Sequence, residues 1–149
     1  MISTWLLFLL AGVQPTSSAA GPGLAGLAAA GRWDHVLTVA VRREAQLPLR
    51  AEEALVAAYA ARLAGDHDAE AHFLGQVVDD PDLGAVARVE MAELVIGTDP
   101  SRSAELVSSL LRRAPSKQLR SRALELTAEA VTAGVDPEGR SRLESIVPT

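Results

Sequence analysis

Cysteine is absent from the 149-residue sequence. That removes disulfides, zinc-thiolate sites, iron-sulfur clusters and thiol nucleophiles from consideration. It does not fix the compartment, because oxidising spaces permit disulfides without requiring them. Aromatic residues make up only 3% of the chain, whereas Ala contributes 27 residues and Leu 21. Ala and Leu favour helices, and the β-branched and aromatic residues that favour strands are scarce. The composition therefore argues against a β-sandwich, a barrel or a doubly wound sheet. Charge is missing from the first 31 residues, Arg32 being the first ionisable side chain. The remainder holds all 14 basic and 19 acidic groups, for a net charge of -5. The length fits one domain.

The uncharged front end reads as a targeting segment. Trp5 to Val13 has the length of a signal-peptide apolar core, and Pro15 ends it. Ser18-Ala19-Ala20 places small residues at the positions that signal cleavage needs before Gly21. The only positive charge ahead of that core is the terminal amine. A membrane-spanning helix needs roughly 20 apolar residues, about twice what is present. No cysteine follows to carry a lipid. The expected organisation is a signal peptide over 1–20 and a helical-repeat domain over 21–149, in the periplasm or another extracytoplasmic space of a bacterium.

What is present after that is regular punctuation. Gly31-Arg32-Trp33-Asp34, Gly65-Asp66-His67-Asp68, Gly97-Thr98-Asp99-Pro100 and Gly134-Val135-Asp136-Pro137 each combine a helix-ending Gly with a helix-capping Asp. Their glycines lie 34, 32 and 37 residues apart. Between them, Gln46-Leu47-Pro48-Leu49, Asp79-Asp80-Pro81-Asp82 and Ala114-Pro115-Ser116 supply proline breaks. The predicted helices are 24–30, 34–46, 51–64, 68–78, 83–96, 100–113, 117–133 and 137–146, forming antiparallel pairs. Leu119, Ala123, Leu126 and Ala130 recur at steps of three to four, and Ala54, Ala57, Ala61 and Ala64 form a small-residue stripe. A helix pair this thin cannot bury its apolar face alone, so stacking must supply the core. The expected fold is all-α, a right-handed α-solenoid of three to four antiparallel helix pairs.

On these residues the chain resembles the tetratricopeptide repeat superfamily, whose units are helix pairs of about 34 residues. Gly65-Asp66-His67 matches the family's inter-helix turn, with His67 where an aromatic usually stands. Ala57 and Ala58 resemble the small packing residues of the first helix, with Tyr59 near its aromatic position. Ala71 and Phe73 resemble the second helix's Ala and aromatic, displaced by about one residue. Gly31-Arg32-Trp33 repeats the turn, followed by Val36 and Ala40, while Ala104 and Pro115 echo a third unit. No unit carries the full Trp-Leu-Gly-Tyr first helix. The resemblance is to divergent repeats of bacterial envelope proteins, such as outer-membrane assembly factors and the superhelical region of soluble lytic transglycosylases. It implies a protein-binding scaffold.

Nothing in the sequence assembles a catalytic set. His35, His67 and His72 form no HExxH, and Asp66, His67, Asp68, Glu70 and His72 read more simply as helix capping than as a metal site. Asp79-Asp80-Pro81-Asp82 lacks the spacing of an EF-hand and is expected to cap the helix near Leu83. There is no phosphate-cradling Gly motif. Ser101, Ser103, Ser108 and Ser109 have no histidine near them in sequence. Glu144-Ser145 echoes the catalytic pair of soluble lytic transglycosylases, but no Gly-Leu-Met-Gln segment accompanies it, and it reads as a surface feature. No enzyme activity, metal or cofactor is expected.

Charge is distributed in blocks. Residues 52–99 hold 11 acidic groups and 2 basic ones. Residues 102–122 hold Glu105 against Arg102, Arg112, Arg113, Lys117, Arg120 and Arg122. Such blocks steer oppositely charged partners or favour contact between copies. Nucleic acid is a poor match, since the net charge is negative and stacking groups are few. The six basic residues are the candidate partner-binding set. The expected role is an exported, non-catalytic scaffold mediating protein-protein interaction in the cell envelope. The alternative is an accessory module for peptidoglycan processing or wall-polymer binding, with contact to an anionic polymer or membrane surface. Self-association is a third possibility.

Overall fold

A computed structural model describes residues 23–113 and 116–134, and over them the chain forms seven helices and no strand. These are α1 (Leu24–Ala29), α2 (Trp33–Glu44), α3 (Ala51–Ala64), α4 (His67–Gly75), α5 (Gly84–Val95), α6 (Pro100–Arg113) and α7 (Lys117–Thr132). The expected signal peptide, the eighth helix over 137–146 and the Glu144-Ser145 pair lie outside the described residues.

The turns follow from residue chemistry. Gly31 and Gly65 both take left-handed backbone, at φ of 71° and 72°. At each, the Gly N–H and the next residue's N–H reach back to close the helix: Gly31 to Ala28 and Arg32 to Leu27 in one, Gly65 to Arg62 and Asp66 to Ala61 in the other. This is the Schellman arrangement, and it occurs twice, 34 residues apart. Asp66 then accepts from the Ala69 N–H at 3.0 Å and caps α4. The third expected turn differs. Among the described residues the left-handed glycines are Gly31, Gly65 and Gly134, and Gly97 is not one of them. There the Val95 carbonyl accepts from the N–H groups of Thr98 and Asp99 and from the Thr98 hydroxyl. The threonine closes the helix end without a reversal of φ, and Asp99 caps α6 through the Arg102 N–H. Asp34 also departs from expectation, because α2 begins one residue before it. Its carboxylate lies 2.9 Å from His35 Nδ1 instead of capping.

Helix α4 ends three residues short of the predicted boundary. After Gly75 the backbone tightens, with Val77 N–H bonded to Leu74 and Asp80 N–H to Val77. Asp80 then accepts from the N–H groups of Asp82 and Leu83, which sets the chain's entry into α5. Two further entries are fixed by side chains. Glu53 accepts the Arg50 N–H ahead of α3, and Ser116 accepts the Leu119 N–H ahead of α7.

The chain divides into two units at Phe73/Leu74. In the first, α2 packs on α3 and α1 packs on both. Its interior combines the small side chains of Ala54, Ala57, Ala58, Ala60 and Ala61 of α3 with Val36 and Ala40 of α2, Leu24 and Leu27 of α1, and Leu55 and Phe73. Ala64 completes the stripe in sequence but is exposed. An ion pair from Arg62 Nε to Glu70 and a hydrogen bond between Glu44 and His72 Nε2, each at 2.6 Å, hold α4 to α3 and α2. In the second unit, α6 packs on α5 and α7, and these two also touch. Val89, Ala92, Val107, Leu110, Leu119 and Leu126 belong to one buried cluster joining all three helices. Within each unit, the packing of successive helices α1–α2–α3 and α5–α6–α7 is consistent with helical repeats in general.

Candidate functional site

The six basic residues of 102–122 separate into two groups. Arg102 pairs with Glu105 on its own helix at 3.0 Å. Arg122 is committed to structure: its guanidinium meets Glu93 of α5 at 2.6 Å, Glu125 at 2.8 Å and Glu129 at 3.8 Å. The hydrogen bond to Glu93, then that to Glu125, raises its pKa against the opposing effect of burial, so the charge is fixed. It ties α7 to α5.

The other four flank the connection between α6 and α7. Arg112 and Arg113 end α6, and Lys117 and Arg120 lie in the first two turns of α7. All four are exposed and none forms an ion pair among the described residues. No acidic residue lies between 112 and 120. The two arginines suit the negative end of α6. Lys117 and Arg120 do the opposite, since they stand at the positive end of α7, whose first turn holds no acidic residue. Each such placement costs a surface helix about 0.3–1 kcal/mol. Local helix stability therefore does not account for Lys117 and Arg120 at these positions.

The remaining candidates are absorbed into the fold. His35 lies beside Asp34, His67 Nδ1 is 3.6 Å from Glu70 Oε2, and His72 meets both Glu44 and the edge of Phe73. Among the described residues no three His, Asp or Glu side chains are placed to hold a metal ion. Ser103 is buried and donates to the Ala92 carbonyl, Ser108 donates to Glu105, and Ser109 accepts from Arg88. No helix of the described residues is long and apolar enough to cross a membrane.

One residue passed over in the sequence organises this region. Arg88 donates from Nε to the Val78 carbonyl at 2.9 Å and from another nitrogen to Ser109 of α6 at 3.0 Å, and it pairs with Asp79 at 3.3 Å. It pins the loop before α5 and braces α6. Its signal in the sequence was its position as one of two basic residues in an acidic stretch, the other being Arg62, which also meets a carboxylate.

No protein-family model matches the chain, and no match is found among curated proteins or solved structures.

Proposed function

We propose that this chain is an exported helical-repeat scaffold of the tetratricopeptide kind, stacked as a right-handed solenoid, which binds a protein partner in a bacterial envelope. The observation that carries the binding role is the α6–α7 connection, on either side of which Arg112, Arg113, Lys117 and Arg120 are exposed and form no ion pair among the described residues. The repetition of one turn geometry at Gly31 and Gly65 supports the repeat reading. The uncharged segment over 1–20 supports export.

The test is affinity capture by residues 21–149 from envelope extract of the producing cell, beside a variant carrying Arg112→Glu, Arg113→Glu and Arg120→Glu. A specific protein is expected with the parent chain and not with the variant, at equal helicity by circular dichroism. Equal capture by both removes the basic turn from the reading. Retention of the parent chain by sedimented peptidoglycan, without a protein partner, establishes the wall-polymer alternative in its place.

A further inference from the structure

The helical register of α7 places an apolar side chain in line with cations that form no ion pair among the described residues. Lys117, Arg120 and Leu124 stand three and four residues apart, so they share one outward stripe. Leu124 is 41% exposed. Of the large apolar side chains that are exposed among the described residues, Val41, Leu47 and Leu63 belong to the first unit and Leu124 is the one in the second. A lone exposed leucine is ordinary by itself. What distinguishes Leu124 is its neighbours. Glu125 and Glu129 turn aside to Arg122, so the helix's own carboxylates leave Lys117 and Arg120 uncompensated. Ala128 continues the stripe with a small exposed side chain and leaves room beside the leucine.

We propose that this stripe receives an acidic segment of a partner protein that also carries an apolar side chain, the carboxylates meeting Lys117 and Arg120 and the apolar group covering Leu124. The proposal rests on the protein-binding reading of the basic turn and names the chemistry of the partner. Lys117 and Leu124 are separated by about 10 Å along the axis, a span that three or four extended residues cover. A bare polyanion satisfies the cations and leaves the leucine wet, whereas a mixed acidic and apolar segment uses the entire stripe.

Binding of fluorescein-labelled peptides to residues 21–149 tests this by fluorescence anisotropy. One probe contains Glu and Leu; a control of equal length and charge has Ser for each Leu. The Glu/Leu peptide is expected to bind about tenfold more tightly, the gain from covering a leucine-sized apolar contact. Leu124→Ser should abolish that difference, and Leu124→Met should restore most of it. Lys117→Glu with Arg120→Glu should weaken both peptides, and raising salt from about 50 to about 300 mM should do the same. Equal affinity for the two peptides, or indifference to Leu124→Ser, overturns the acidic-apolar partner while leaving the cationic surface intact. Failure of both peptides where phosphatidylglycerol vesicles or inorganic polyphosphate bind overturns the partner class. Failure of every anion overturns the protein-binding reading of the turn as well.

Discussion

At the scale of single residues, the tightest constraint is Gly84. A methyl group added there would meet the Val78 carbonyl oxygen at 2.7 Å, a backbone atom that also accepts from Arg88. Gly84→Ala must displace the start of α5 or break that bond. It should cost about 1–3 kcal/mol, measured as a lower urea midpoint. Gly65→Ala has open space around it and fails for another reason: its φ of 72° is unfavourable for a residue with a Cβ. A loss of about 1–2 kcal/mol is expected, without the repacking that Gly84→Ala forces. Glu70 is the third special position. It is 1% exposed, with one carboxylate oxygen on Arg62 and the other lacking a hydrogen bond. Removing it by Glu70→Ala leaves Arg62 without its 2.6 Å partner across α3 and α4. Because Arg62 is partly solvated, the expected cost is about 2 kcal/mol, below that of a fully buried broken pair.

At the scale of elements, ion pairs join helices whose apolar faces are small. Arg122 links α7 to α5, and Arg122→Gln should lower stability by about 1 kcal/mol, a modest figure because both partners are partly exposed. The Arg43–Glu53 pair at 2.6 Å does the same for α2 and α3. Burial would push the Glu53 carboxyl up, but the bonds to the Arg50 side chain and backbone, with the charges of Arg50 and Arg43, outweigh it and hold it below its ordinary 4.5. A carboxylate held low stabilises the fold above its unfolded value and loses that contribution as pH falls through the folded one. Glu53→Gln should therefore lower Tm at pH ~7, and the gap to the parent chain should close as the pH approaches ~3. The helices themselves were legible in sequence, because Gly, Asp and Pro punctuate and Ala and Leu fill. All seven begin within one residue of the predicted start. Legibility failed where a side chain replaced a backbone signal. Thr98 closes α5 without a left-handed Gly97, and the tightened turn after Gly75 ends α4 before its last valines. For the candidate site, the charge block marked only a segment of sequence. It could not separate Arg122, which points to Glu93 from 29 residues away, from Arg120 two positions earlier.

At the scale of the whole molecule, each unit carries its own buried residues and its contacts are made largely between successive helices. Chains dominated by contacts of this local kind fold quickly, so refolding monitored by stopped-flow circular dichroism should finish within milliseconds. The net charge of -5 hides the cationic turn, and the consequence lies in energetics. Lys117 and Arg120 sit at the wrong pole of α7, whose first turn holds no acidic residue, so the placement is locally repulsive. Any anion held at that pole also becomes a structural support, and occupancy is thermodynamically linked to resistance against unfolding. Under the proposed partner binding, the form lacking its partner is the one more readily cleared by proteolysis, and the partner's abundance sets how much of this protein persists.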